Sequence, residues 1–125
     1  VMPSNATRGA YYKARSKRHL ERQGFTVFDM EIQRVVYTPA GMLPTKRDQL
    51  GSDIAYLTKD IVVFVQVKGG SRLLSVLIRE ARRAFERYEF PQHSRQELHV
   101  WRPRARRPDV YWRDNEHCGL MAWPT

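Results

Sequence analysis

The sequence is poor in cysteine, in acidic residues and in long apolar runs. Cys118 is the single cysteine among 125 residues, so no internal disulfide can form and no cysteine cluster is available for zinc. No stretch approaches the roughly 20 consecutive apolar residues that span a bilayer, and no signal-peptide pattern is present. These absences predict a protein of a reducing, cytoplasmic setting that has no membrane partner.

The signatures of several common enzyme classes are missing as well. The chain has no Gly-rich phosphate loop of the Walker or dinucleotide type and no Gly-x-Ser-x-Gly nucleophile elbow. It also lacks a cluster of cysteine and histidine residues at metal-ligand spacing. The sequence therefore gives no motif evidence for these enzyme classes.

Basic residues are abundant by comparison. Lysine and arginine number 22 against 13 aspartates and glutamates, which gives a formal net charge of +9. Such an excess on a small domain favours a polyanionic partner, most often nucleic acid, over a merely solvated surface. The predicted phosphate-contacting residues are Arg15, Lys17, Arg18, Arg79, Arg82, Arg83, Arg104 and Arg106.

Length and composition predict one domain over residues 1–125, with a lead-in at 1–7, a core at about 8–113 and a tail at 114–125. Periodicity predicts helices at 8–23 and 72–89, and strands at 25–37, on both sides of a turn at 58–60, at 96–102 and at 110–112. A polar loop is predicted at 42–49. The apolar segment 119–124 is expected to dock on its own domain or on a partner subunit. This order predicts a mixed α/β or α+β fold, with a central mixed sheet flanked by helices.

The most informative stretch runs from Gly51 to Lys68 and predicts two strands joined by a tight turn. Its second half, from Ile61 to Val67, is β-branched and nearly unbroken, as in a strand that is buried on both faces. Side chains alternate along a strand, so Gln66 and Lys68 point to the same face. A lysine at the end of a core strand is costly unless another group pairs with it.

The residues at this end of the hairpin could support hydrolysis of a phosphodiester. A magnesium-type ion prefers oxygen ligands, which the Asp53 carboxylate, the Gln66 amide and the Val67 carbonyl can supply. Lys68 can polarise an attacking water and stabilise charge on the scissile phosphate. The plain structural alternative is a turn aspartate beside a polar strand end.

These residues also form a recognisable motif. Ser52-Asp53, followed thirteen positions after the aspartate by Gln66-Val67-Lys68, resembles the bipartite motif of the PD-(D/E)xK nuclease superfamily. Within it, the chain is most similar to archaeal-type Holliday junction resolvases and their phage relatives. In those proteins a glycine opens the first helix and a Gly-aromatic pair closes it, and Gly9 and Gly24-Phe25 stand at that spacing. The resemblance covers roughly residues 9–89.

This resemblance implies a restriction-endonuclease-like core and a Mg²⁺- or Mn²⁺-dependent endodeoxyribonuclease that resolves four-way DNA junctions. It also implies a homodimer, because a junction presents two symmetric strands to cut, and a prokaryotic cell or phage-infected host. Two alternatives keep the same fold. One is a general, nicking, transposase-type or restriction-type endonuclease, and the other is a DNA-binding domain that has lost catalysis.

The sequence departs from the family pattern at its acidic positions. Gln66 replaces the usual acid of the second motif, and Lys13 stands where the family has a helical glutamate. Glu31 is the first candidate for the second carboxylate, Asp48 the second and Glu21 the third. The resemblance thus implies a catalytic set of Asp53, Gln66, Lys68 and Glu31, and a metal-ligand set of Asp53, Gln66, Val67 and Glu31.

Overall fold

The computed structural model describes residues 5–48, 50–116 and 121–122. Within these ranges the chain forms two helices, α1 (Asn5–Arg22) and α2 (Leu74–Glu86). The strands are β1 (Thr26–Asp29), β2 (Glu31–Thr38), β3 (Gly41–Asp48), β4 (Ile54–Leu57), β5 (Val62–Gly69), β6 (Ser94–Trp101), β7 (Asp109–Asp114) and β8 (Met121–Ala122).

Six strands form the main sheet in the order β1-β4-β5-β6-β7-β8, and β2 pairs with β3 in a separate two-stranded sheet. The β5–β6 pair is parallel, and the other pairs of the main sheet are antiparallel. A parallel pair needs a crossover, and α2 lies in the chain segment between β5 and β6. The mixed α+β class is therefore confirmed, while the restriction-endonuclease-like core stays a prediction.

Each face of the main sheet carries its own apolar cluster. The cluster on the α1 face contains Leu20, Ile54, Tyr56, Val63 and Val65. The cluster on the α2 face contains Leu77, Ala81, Phe85, Leu98 and Val100. Successive side chains of a strand point to opposite faces, so Val63 and Val65 of β5 face α1, whereas Gln66 and Lys68 face α2.

Helix α1 begins at Asn5, within the segment 1–7 that was predicted as a lead-in. Its end follows the prediction, because Gly24 adopts φ +92°, a left-handed conformation that favours glycine. The amides of Gly24 and Phe25 then donate to the carbonyls of Glu21 and Leu20. Such bonds satisfy the last carbonyls of a helix and turn the chain towards the sheet.

The predicted strand 25–37 is divided at Met30, where the chain leaves the main sheet and enters the β2–β3 hairpin. The prediction of a polar loop at 42–49 was wrong, since Gly41–Asp48 is strand β3. Pro44 and the charged residues after it are typical of loops, but a two-stranded hairpin tolerates both because its outer edges are unpaired. The register places Glu31 opposite Asp48.

The C-terminal segment returns to the main sheet. Met121–Ala122 forms β8 and pairs antiparallel with β7 of the same chain. The remainder of the predicted docking segment lies outside the described residues. No described helix is long and apolar enough to cross a membrane.

Candidate active site

Backbone contacts hold Asp53 at the entry to β4. Its amide donates to the Val65 carbonyl over 2.8 Å, and its carbonyl accepts from the Met30 amide over 3.0 Å. Its Oδ2 accepts from the amide of Val67 over 2.7 Å. The carboxyl group of Asp53 is thus fixed beside the end of β5, as the sequence motif predicts.

Gln66 lies in the same place and is nearly buried, with 6% of its surface exposed. Its Nε2 donates to the Gly51 carbonyl over 2.6 Å. Because this bond holds the amide nitrogen, the amide oxygen is the atom that can serve as a metal ligand.

The backbone conformation of Gly51 places its carbonyl where Gln66 can donate to it. Gly51 adopts φ +63°, and a Cβ added there would lie 2.6 Å from the backbone oxygen of Ala84 in α2. Only glycine combines this left-handed conformation with so close an approach to a helix backbone. The 50–53 turn therefore packs directly on α2.

Lys68 pairs with an acid that the sequence analysis did not select. Its Nζ lies 3.3 Å from Oε2 of Glu80 in α2, and Arg72 also hydrogen-bonds to Glu80. The hydrogen bond from Arg72, supported by the charge of Lys68, lowers the pKa of Glu80. The available signal was that α2, the helix that follows the Lys68 strand, carries only two carboxylates, Glu80 and Glu86, among its arginines.

Glu31 has a different partner. Its Oε2 lies 3.2 Å from Nζ of Lys13, and Asp29 Oδ1 lies 2.8 Å from the same nitrogen. Burial, the largest single influence, lowers the pKa of Lys13, but the hydrogen bonds with Asp29 and Glu31 outweigh it and raise the pKa. Lys13, at the family's helical glutamate position, thus pairs with the acid that was expected to replace that glutamate.

Of the other two candidate acids, only the side chain of Glu21 is described by the structure. The side chain of Asp48 lies outside the described residues, and Glu21 is exposed near the end of α1. Among the described residues, no group of three or more His, Cys, Asp and Glu side chains is arranged to hold a metal ion.

The oxygen ligands at this strand end are still sufficient in number for a magnesium-type ion. Such ions are held by one or two carboxylates, and waters and substrate phosphates complete the shell. Asp53 supplies one carboxylate, Gln66 an amide oxygen and Val67 a backbone carbonyl at the same strand end. Glu80 is a second carboxylate, which now pairs with Lys68.

Most of the predicted phosphate-contacting residues are exposed. These are Lys17, Arg18, Arg79, Arg82, Arg83, Arg104 and Arg106. Arg15 differs, because its Nη2 donates to the Ala105 carbonyl over 2.8 Å and its guanidinium lies 4.3 Å from the Trp101 ring centroid. Its contacts hold the 102–108 loop against α1, which is a structural role.

Comparisons with protein-family models, with curated proteins and with solved structures find no match for this chain. The nuclease resemblance consequently depends on the motif residues themselves and stays a prediction.

Proposed function

We propose that the protein is a metal-dependent endodeoxyribonuclease that acts on branched DNA, with four-way junctions as its preferred substrate. The observation that carries this proposal is the meeting of Asp53, Gln66 and Lys68 at one end of the β4–β5 hairpin. Main-chain contacts from Val67 and Gly51 hold the acid and the amide there. A carboxylate, an amide oxygen and an amine in one place suit phosphodiester hydrolysis.

Each side chain has a separate task in the proposed site. Asp53 and the amide oxygen of Gln66 would hold Mg²⁺ or Mn²⁺, which when bound would supply Lewis-acid stabilisation of the phosphate. Lys68 hydrogen-bonds the attacking water or the scissile phosphate and stabilises the negative charge that develops there. Glu80, 3.3 Å from Lys68, orients the amine and takes the role of second acid that the sequence analysis gave to Glu31.

The basic surface recruits the substrate in this proposal. Arg79 and Arg83 flank Glu80 in α2, so the helix that positions the acid also presents exposed cations. Lys17, Arg18, Arg82, Arg104 and Arg106 complete the phosphate-contacting set. A homodimer with two such sites fits a junction, which is resolved by two symmetric cuts.

The test compares cleavage of a labelled four-way junction with cleavage of linear duplex of the same sequence, in Mg²⁺ and in Mn²⁺. We expect Asp53→Asn and Lys68→Ala each to abolish junction cleavage while junction binding stays largely intact. Asp60→Asn is the matched control, because Asp60 is exposed in the turn at the opposite end of the hairpin. Cleavage at the wild-type rate by both site variants would disprove the site assignment.

The same assay separates the alternatives. Equal cleavage of duplex and junction would indicate a general, nicking, transposase-type or restriction-type endonuclease. Junction binding without cleavage in either metal at any pH would indicate a DNA-binding domain that has lost catalysis. The neutral Gln66 and the pairing of Glu31 with Lys13 favour the DNA-binding domain without catalysis over the other alternative.

A further inference from the structure

A cleft of about 850 Å³ opens on the α1 face of the main sheet, on the opposite face from Gln66 and Lys68. Its lining includes Glu97 and His99 of β6, which are almost completely buried, together with Phe25 and Tyr56. Arg107, in the loop before β7, also lines it. This volume falls within the range of about 300–1,000 Å³ that is typical of small-molecule sites.

A buried chain of hydrogen bonds fixes the floor of the cleft. Trp101 Nε1 donates to Ser16 Oγ over 2.7 Å, and Ser16 Oγ lies 3.2 Å from His99 Nδ1. His99 Nε2 lies 3.1 Å from Glu97 Oε1, which also accepts from the Tyr56 hydroxyl over 2.8 Å. One tautomer satisfies every contact, with Ser16 donating to Nδ1 and Nε2–H donating to Glu97.

This chain has the residue types of a Ser-His-Glu hydrolase, but it is not one. The Ser16 side chain is completely buried and its oxygen already accepts from Trp101, so it cannot reach a substrate. The geometry of a nucleophile requires an exposed hydroxyl next to its base. The network instead orients Glu97.

Glu97 keeps one unused hydrogen-bonding atom. The residue is 2% exposed, and its Oε2 has no hydrogen-bond partner among the described residues. Arg95 Nη1 lies 3.9 Å from this oxygen, an ion-pair contact that is beyond hydrogen-bond distance. A buried acceptor without a donor is costly, and such an atom at the floor of a cleft indicates a ligand that supplies an N–H.

We infer that this cleft binds a nucleobase, with Glu97 Oε2 accepting an N–H from the edge of the base. Phe25 is half-buried and packs on the buried ring of Tyr56, with ring centroids 4.8 Å apart, so it is the aromatic side chain that can contact the flat ring. Arg107 is exposed at the wall, where it can contact the phosphate of the nucleotide.

The charges around the cleft favour a neutral base over a simple ion. Arg95 and Arg107 line the cleft together with Glu97 and Asp109, so it carries both signs. A lone metal or ammonium ion would meet the two arginines, and a lone anion would meet the two carboxylates. A nucleotide presents an N–H donor at one end and a phosphate at the other, which matches both groups. The base can belong to a free nucleotide or to a DNA strand.

The test uses the full chain in EDTA, so that its outcome is independent of the proposed hydrolysis. Calorimetric titration compares nucleoside 5′-monophosphates with ribose 5-phosphate, and a short single-stranded oligonucleotide with an abasic strand of equal length. We expect the base-containing member of a pair to bind about tenfold tighter or more. Glu97→Gln, which replaces the acceptor by a donor, should remove that difference.

Two further variants keep the test decisive. Val110→Trp fills the cleft from its wall and should abolish the base-dependent part of binding even if Glu97→Gln fails to fold. Arg87→Ala is the control, since Arg87 is exposed at the end of α2, away from the cleft.

The two pairs of probes distinguish the source of the base. A base-dependent difference with mononucleotides assigns the cleft to free nucleotides, and one confined to oligonucleotides assigns it to a base of DNA. Equal binding with and without the base, or wild-type binding by both cleft variants, would overturn the inference. Failure of the proposed junction cleavage would leave it untouched, because both pairs of probes are titrated in EDTA.

Discussion

At the scale of single residues, Gln66 decides how strongly the proposed site can hold a metal ion. Its amide donates to the Gly51 carbonyl in a buried position, so the nitrogen serves the fold while the oxygen can serve the ion. A glutamate there would add a negative charge, yet it would turn an oxygen towards that carbonyl. Stability and metal affinity are therefore opposed at this position.

We expect Gln66→Glu to lower the free energy of unfolding by about 1–3 kcal/mol in EDTA, because a buried hydrogen bond is lost. Mn²⁺ should restore more stability to this variant than to the wild type, because binding to the folded state stabilises it. Thermal melts with and without Mn²⁺ measure both effects.

Gln96→Glu is the control for this comparison, since Gln96 is also buried but lies on the neighbouring strand. Its thermal stability should not become more sensitive to Mn²⁺ than that of the wild type. An identical Mn²⁺ response in Gln66→Glu and the wild type would show that position 66 is not a ligand.

Glu80 is the residue that gives the proposed site its second carboxylate. Glu80→Gln keeps the size of the side chain but removes the charge beside Lys68 and Arg72. We expect junction cleavage to fall about a hundredfold or more, as is usual when a positioned acid or base is lost. Single-turnover rates measure the change.

Glu86→Gln, two turns further along α2, is the matched control because Glu86 pairs only with exposed Arg82 in the contacts described. Equal rates in Glu80→Gln and Glu86→Gln would return the role of second acid to Glu31 or Asp48. Glu31→Gln would then be the variant that loses cleavage.

At the scale of elements, the 50–53 turn is the feature that joins the site to α2. Gly51→Ala should lower the free energy of unfolding by about 2 kcal/mol or more, because of its left-handed conformation and the backbone of Ala84. Metal affinity should fall as well, since Gln66 depends on the Gly51 carbonyl. Urea unfolding and Mn²⁺ titration measure the two quantities.

Gly9→Ala in α1 is the control for Gly51→Ala. A Cβ at Gly9 meets no atom within 4 Å, and alanine is the better helix former, so this change should stabilise the protein by about 0.5–1 kcal/mol. If Gly51→Ala were equally harmless, the close packing of the turn on α2 would be disproved.

The elements also show what the sequence can predict and where it fails. The β4–β5 hairpin, α2 and the two strands after it follow from local patterns, because apolar periodicity and turn residues act within one segment. Strand β3 was missed because its polar residues and Pro44 are typical of a loop, and only pairing with β2 makes it a strand.

The residues of the proposed site also divide into those that the sequence predicts and those that it does not. The proximity of Asp53, Gln66 and Lys68 could be predicted because Asp53 directly precedes β4 and the other two lie on its partner β5, with a register that follows from the turn. Glu80 and the Lys13–Glu31 pair depend on how helices pack against the sheet, which no local pattern fixes. The Glu97 cleft was not predicted either, because its hydrogen-bond network joins α1 to β4 and β6.

At the scale of the whole molecule, the net charge of +9 would attract DNA at longer range than any single contact. Its exposed cations extend over both helices and the 102–108 loop, so they lie on both sides of the main sheet. A long-range field of this kind speeds association and weakens as salt increases. Arg83 lies one turn from Glu80 on α2, which places its charge close to the proposed site.

We expect the logarithm of the junction-binding constant to fall linearly with the logarithm of salt concentration, because phosphate contacts release counterions. Arg83→Gln should reduce the magnitude of that slope by about one, the value for one lost phosphate contact. Lys59→Gln should leave the slope unchanged, since Lys59 is exposed in the turn at the far end of the β4–β5 hairpin. Fluorescence anisotropy over a salt series measures all three slopes. Equal slopes for the two variants would mean that binding depends only on the total charge of the protein. That result would contradict the proposed contact between α2 and the DNA.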